Sequence, residues 1–319
     1  MHKRFGYVVV TLVFIFFSGL GARGVAQKLE ATPRLAVVSA FAPELGALLA
    51  RTDVQETHVI HGRTFTLGKL AGNDVVLFLS GVSMVNATMT TQVALDTFNV
   101  AGILFSGIAG GVNPNLAVGD VTVPVRWGQY QEQFFARATL EGWDYGWHDA
   151  PFGNYSMMVP QNVEVTSAAG DSDTVKSDTV KPDAVEPRFW FPVDAKMLKA
   201  ARRAAKNVSL TQCTPEDVCL NAEPKVVIGG NGVSGSTFVD NALYRSWVWD
   251  TFSAQALDME TAAVAHVAYV NEVPYLAFRS LSDLAGGGPG ENEVNIFFAL
   301  ASADSAALVV EFLSLWNAQ

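Results

Sequence analysis

The strongest constraint on the fold is the alternation of two hydrophobic periods in the last third of the chain. An apolar run at Ala254–Leu257 is followed by helical spacing over Glu260–Val270, then a β-rich run at Tyr275–Ser280. A long helical stretch from about Glu291 to Trp316 completes the series. Strands that are apolar throughout, without in–out alternation, are buried on both faces, and strands separated by helices tend to return parallel. The same order opens the chain. Arg34-Leu-Ala-Val-Val-Ser-Ala40 reads as a buried strand, and Pro43 suits the first turn of a helix continued by Leu45, Leu48 and Leu49. Thr57–Ile60, Arg63–Leu70 and Val75–Ser80 read as a strand meander, Val85–Phe98 as a helix, and Gly102–Ser106 as a strand opening onto Gly107-Ile-Ala-Gly-Gly111. Another helix is expected near Asp194–Lys206 and a strand at Val226–Gly229. The expected fold class is α/β, a three-layer sandwich around a mixed, mainly parallel sheet.

Composition narrows the function classes. Half of the residues are hydrophobic and 16% are charged, which excludes a disordered chain. Against 31 Asp+Glu stand 21 Lys+Arg, a net charge of −10. Without a basic run, nucleic acid is not the expected partner. Five His and two Cys exclude a Cys/His zinc site of standard spacing. Met1-His2-Lys3-Arg4 is basic, Tyr7–Leu20 is almost wholly apolar, and Gly24-Val25-Ala26 is small. This reads as a signal peptide, residues 1–26, whose apolar run is shorter than the ~20 residues of a membrane span. Residues 27–319 then form a single domain, periplasmic or secreted, with no membrane attachment once the signal is removed. Export implies an oxidising compartment, where Cys213 and Cys219, enclosing Thr-Pro-Glu-Asp-Val, are expected to form a local disulfide.

Residues 162–187 stand apart. Ser172-Asp-Thr-Val-Lys176 repeats as Ser177-Asp-Thr-Val-Lys181 with no aromatic residue in the segment, the composition of a solvated, mobile insertion within the domain. Residues 126–158 are rich in Trp, Tyr and Phe without clear periodicity, and His266, among Ala and Val, reads as a packed helix residue.

In α/β sheets ligands collect beyond the carboxyl ends of the strands. Four places there carry polar or glycine residues: Glu44, Gly107–Gly111, Asp258-Met-Glu260 and Arg279-Ser-Leu-Ser-Asp283. Each has a plainer reading alone. Acids favour a helix's first turn, glycines serve turns, and Asp caps helices.

Taken together, in this order, they resemble the purine and uridine phosphorylase superfamily, and within it the nucleosidases that hydrolyse methylthioadenosine and S-adenosylhomocysteine. The matching segments are Val37-Val-Ser-Ala-Phe-Ala-Pro-Glu44, Ser106-Gly-Ile-Ala-Gly-Gly111 with Val118-Gly-Asp-Val-Thr-Val123, Leu257-Asp-Met-Glu-Thr-Ala-Ala-Val-Ala-His266, and Val273-Pro-Tyr-Leu-Ala-Phe-Arg-Ser-Leu-Ser-Asp283. Gly232-Val-Ser-Gly-Ser-Thr-Phe-Val-Asp-Asn241 is similar to the branch that holds plant bark storage proteins. The resemblance implies a nucleoside phosphorylase-like fold and roles for individual residues. Asp283 would protonate N7 of the leaving purine, held by Ser282 and Arg279. Glu44 would orient and deprotonate the attacking water. Glu260 would bind the ribose hydroxyls with Asp258 beside it, and Met259 would pack on the sugar. Phe238 would stack on the base while backbone near Val239 reads its edge. Ala109 and Gly110 would admit the sugar closely. The resemblance calls for no cofactor or metal, a small nucleoside as substrate, and a homodimer.

The chemistry needs these residue types. Breaking an N-glycosidic bond creates an oxocarbenium-like sugar and a purine anion, so one acid must neutralise the leaving group while a second carboxylate activates water on the other side. Two departures from the nucleosidase pattern stand out: Ile108 where Ser is common, and Asp258 where Glu is common. The alternatives are a non-catalytic storage or nucleoside-binding protein and a phosphate-dependent phosphorylase. Against the latter, Ile103-Leu-Phe-Ser106 lacks the arginine that often precedes the glycine motif in phosphorylases.

Overall fold

The computed structural model describes residues 28–167, 184–288 and 290–316. The leader read over residues 1–26 and the Ser172–Lys181 repeat lie outside the described residues. A 12-stranded mixed sheet forms the centre. Its strands, in chain order, are β1 (Arg34–Ser39), β2 (Asp53–Ile60), β3 (Arg63–Leu70), β4 (Asn73–Leu79), β5 (Val100–Gly111), β6 (Val121–Val123), β7 (Arg126–Gln129), β8 (Trp190–Pro192), β9 (Val226–Ile228), β10 (Asn231–Ser234), β11 (Ala254–Asp258) and β12 (Tyr275–Asp283). Strand β5 is the axis. It pairs in parallel with β1 on one edge and with β12 on the other, and its last residues meet β11 antiparallel. Strands β2, β3 and β4 form the expected antiparallel meander, joined to β1 by a parallel pairing.

Burial on both faces follows from residue parity along β1. Leu35 and Val37 join a cluster with helices α1 (Ala42–Leu49), α3 (Ala195–Ala204) and α6 (Val294–Trp316), whereas Ala36 and Val38 face α2 (Met84–Thr97) and α5 (Thr261–Val270). The same alternation along β12 sends Leu276 and Phe278 to α6 and Tyr275 and Ala277 to α5. Each fully buried Leu or Phe contributes roughly 1.5–3 kcal/mol relative to exposure, so two-sided burial is what holds the three layers together. Helix α6 is long and apolar enough to cross a membrane, but Leu308, Val309, Phe312 and Leu313 pack on the sheet. His266 stacks on Phe191 and meets Gln129.

Two expectations need correction, and one helix is new. The glycine segment Gly107–Gly111 is not a loop after a short strand; it is the second half of β5, because β12 continues beside it and supplies ladder partners through Gly110. The ends of the expected insertion are regular: Val163–Ser167 pairs antiparallel with Ala184–Arg188. Val163 and Val165 turn into the core, a period of two that polar composition masks. Helix α4 (Ala242–Phe252), capped by Asn241, escapes the sequence reading; its Tyr244, Val248 and Phe252 face an aromatic cluster with Tyr130 and Phe189.

Cys213 and Cys219 are joined by a disulfide. The loop around it is held at both ends by buried carboxylates: Asp304 of α6 accepts the Thr211 N–H at 2.9 Å, and Asp120 accepts the Lys225 N–H at 3.0 Å.

Candidate active site

A cavity of about 210 Å³ opens at the carboxyl ends of β1, β5, β11 and β12. It is lined by Glu44, the Ile108-Ala109-Gly110 edge of β5, the loop Thr237-Phe238-Val239, Asp258-Met259-Glu260, and Ser282-Asp283, with Phe41, Val82, Val294 and Phe298 at its apolar side. All the candidate residues except Arg279 therefore face one space. Among the described residues, every charged residue in the lining is acidic.

Glu44 sits in the first turn of α1, buried, where one oxygen accepts the N–H groups of Ala40 (2.7 Å) and Phe41 (3.3 Å). Its other oxygen accepts the Ile108 N–H at 2.8 Å and lies 4.0 Å from Arg279 Nη1. Burial pushes the carboxyl above its ordinary value, opposed by Arg279 and the three N–H groups. The separation from Arg279 is too long for a direct hydrogen bond, so the pair is electrostatic.

Asp283 ends β12. Its Oδ1 accepts the Ala285 N–H at 2.8 Å and lies 3.4 Å from Asn292 Nδ2, while Oδ2 accepts from Ser282 Oγ at 2.9 Å. Burial again raises the carboxyl, which favours the protonated form needed to donate.

Arg279 does not hold Asp283, contrary to the reading from sequence. The two are four residues apart on a strand rising about 3.3 Å per residue, roughly 13 Å. Instead Arg279 is fully buried behind the cavity. It lies 2.8 Å from Asp258, 3.5 Å from Glu260 and 4.0 Å from Glu44. It also donates to Thr261 Oγ1 and the Ile108 carbonyl, and its guanidinium lies 4.1 Å from the centre of the Phe105 ring. One cation thus serves three carboxylates. Glu260 is lifted to about 7, by burial first, against Arg279 and with Asp258 and Glu44 adding repulsion. The Ser83 N–H, on a residue with φ of 78°, donates to Glu260 at 2.8 Å; a non-glycine residue held there is strain retained at a site.

Asp258 lines the cavity, but its oxygens are already engaged. Ser234 Oγ, Thr261 Oγ1, Arg279 Nε and the N–H groups of Glu260 and Thr261 all reach it. It holds Arg279 and the start of α5 rather than offering a lone pair to a ligand. Sequence reasoning missed Ser234, Thr261, Asn292 and Ser83. Strand β10, which carries Ser234, is four residues long, too short to announce itself by period. Phe238 is 57% exposed over the cavity, and Val239 is buried beneath it.

The family model described as Phosphorylase superfamily matches residues 34–314. Bark storage protein A of Populus deltoides is 29% identical over 259 residues, covering 80% of this chain and 78% of that protein. The 5'-methylthioadenosine/S-adenosylhomocysteine nucleosidase of Bacillus thuringiensis (strain Al Hakam) is 27% identical over 255 residues, covering 79% and 87%. Among solved structures, the corresponding nucleosidase of Neisseria meningitidis, in complex with methylthio-immucillin-A, has a TM-score of 0.63 at 24% identity over 89% of this chain and 99% of that one. Futalosine hydrolase of Helicobacter pylori gives 0.60 at 21% identity over 90% and 98%. The two solved structures share the mixed, mainly parallel α/β fold read from the sequence.

Proposed function

Because this chain belongs to the phosphorylase superfamily, we propose that it is a purine nucleosidase, hydrolysing the N-glycosidic bond of an adenine nucleoside or a 5′-thioadenosine of the methylthioadenosine and S-adenosylhomocysteine type. The observation that carries this reading is the lining of the cavity: two carboxyl groups, Glu44 and Asp283, line it together with Ile108-Ala109-Gly110, and among the described residues no lysine or arginine does. The nucleosidases among its relatives support the substrate class.

In this mechanism the purine lies against Phe238, with N7 toward Asp283, and the ribose lies over Met259 with its hydroxyls on Glu260. Asp283 gives its proton to N7 as the C1′–N9 bond breaks, so the electron pair leaves on a neutral base. Water held by Glu44 attacks C1′ and passes a proton to Glu44. Each such proton transfer typically supplies ~10²–10⁴ in rate. Phosphate as the nucleophile would bring a dianion against Glu44 and Glu260 with Arg279 already engaged, an arrangement that disfavours it.

A second reading, storage or nucleoside binding without turnover, draws on the likeness to bark storage protein and on Ile108, which replaces a hydroxyl near the water. Incubation with methylthioadenosine, S-adenosylhomocysteine, adenosine and inosine, with and without phosphate, separates the readings. Base release independent of phosphate is the expected result. Phosphate dependence identifies a phosphorylase, and binding without release overturns the enzyme reading. Asp283→Ala is expected to lower base release at least ~10²-fold while leaving the fold intact.

We also propose export with removal of residues 1–26, which the Cys213–Cys219 disulfide supports; an amino-terminal mass starting at Met1 in the native protein would overturn it. The partner best suited to the cavity mouth is a second copy of the chain. Val82 and Phe238, which line the cavity, are exposed, as are Val85 and Met89 on the first turns of α2 and Ile296 on the first turn of α6.

A further inference from the structure

Helix α3 and the turn after it gather five of the chain's 21 Lys+Arg into residues 196–206, with no acid among them. Only Arg202 and Arg203 are adjacent, so the sequence shows no basic run; helical spacing does the collecting. At about 100° per residue, Lys196, Lys199, Arg202 and Arg203 fall within about 120° of arc, and Lys206 extends the row to roughly 15 Å. All five are exposed, while Met197, Ala200, Ala201 and Ala204 face the core. Among the described residues none of the five forms an ion pair. The helix dipole accounts for Arg202 and Arg203 in the last turn but opposes a cation in the first, where Lys196 stands. A stripe of like charge, in a chain whose net charge is −10, is thus left without a counter-charge of its own.

The stripe lies at the end of the sheet away from the cavity. Met197 and Leu35 close over Gly102, near the starts of β5 and β1, and the Asp194 N–H donates to the carbonyl of Tyr275, the first residue of β12, at 3.0 Å. Helix α6 spans the distance between the two. Its Val294 and Phe298 line the cavity, and roughly 30 Å further along its axis the Leu315 carbonyl accepts from Arg203 Nη2 at 3.4 Å. The chain also enters the domain at the stripe's end of the sheet, since Arg34 opens β1 there.

We propose that this stripe is a docking surface for an anionic phospholipid bilayer, on which the domain rests with its cavity open to solution. A convex helix face that carries no aromatic ring suits a flat array of headgroups. A nucleic-acid strand is instead tracked along a groove with its bases stacked on aromatic rings. Under the export reading, a leader engaged with a membrane turns this same end of the domain toward lipid. Leu198 and Val208 are half-buried, so the contact is adsorption through charge, and the expectation of no membrane attachment becomes one of no insertion.

Flotation of the exported protein with vesicles of phosphatidylglycerol and phosphatidylcholine in equal parts, against phosphatidylcholine alone, tests this. Binding to the anionic vesicles only is expected, falling at least ~10-fold as ionic strength rises from about 0.05 to about 0.2 M. Lys196→Gln, Lys199→Gln and Arg202→Gln combined are expected to weaken partition about 10²-fold, about fivefold for each charge near the surface. Melting temperature and base release from methylthioadenosine stay at wild-type values. Lys225→Gln, exposed beside Asp120 and outside the stripe, leaves partition within about twofold. Equal binding to neutral and anionic vesicles overturns the proposal, as does a triple variant that binds like the wild type. Capture by heparin in solution without vesicle binding places a soluble polyanion on the stripe and overturns it as well. The vesicle comparison decides the matter whether or not the protein releases base.

Discussion

A methyl group at position 107 has no room: a Cβ built there overlaps the Arg279 guanidinium and comes within 2.5 Å of Glu44 Oε1. Both neighbours are buried and neither is the free end of a solvent-facing chain. Gly107→Ala is therefore expected to cost at least ~10²-fold in kcat/KM for methylthioadenosine and several degrees in melting temperature; a variant with wild-type kinetics would show that the Arg279–Glu44 spacing does not matter. At this scale the sequence is informative about identity and poor about partnership. The acids at 44, 258, 260 and 283 stand out because they follow apolar strands. That Arg279 serves Asp258, Glu260 and Glu44 and not Asp283 depends on which face of β12 it occupies, and the face follows only once Ala277 is known to meet α5. Asp258 likewise reads as a ligand for substrate until Ser234 arrives from another strand to occupy it.

Strand β5 and helix α6 both border the cavity, and both were partly legible. The apolar run Gly102–Ser106 announces β5, but its continuation through Gly111 does not appear in local propensity, because the glycines are kept extended by the ladder with β12. Helix α6 holds a buried acid, Asp304, which burial lifts to about 6 from an unfolded value of 3.8. Since the folded protein binds this proton more tightly, the group's contribution to stability is full below about pH 4 and is lost as pH rises through about 6. Asp304→Asn is expected to flatten the fall in melting temperature between pH 5 and pH 8, by the equivalent of on the order of 2 kcal/mol. An unchanged pH profile would assign the fall to other groups. The disulfide braces the loop that Asp304 holds. Converting Cys213 and Cys219 to Ala is expected to cost about 2 kcal/mol, the entropy of so short a closed loop, read as a lower denaturation midpoint with kcat unchanged; loss of kcat would mean that the loop reaches the site.

The whole molecule was legible as an α/β sandwich because strands apolar on both faces alternate with helices, and illegible among the described residues of the region 126–190, where strands of three to five residues pack through aromatic contacts far apart in sequence. At this scale the exposed apolar residues beside the cavity make association testable. Val85→Asp combined with Met89→Asp is expected to give a monomer by sedimentation, with KM for methylthioadenosine raised about 10-fold; a variant that remains dimeric would place the interface elsewhere. The acid-only lining of the cavity has a broader consequence. A 5′-phosphorylated nucleoside would carry its own negative charge toward Glu44 and Glu260 and meet no lysine or arginine among the described residues of the lining. Under the nucleosidase proposal, such a pocket would discriminate by charge before shape: nucleotides would be turned away at the entrance, and only material already stripped of phosphate would be degraded.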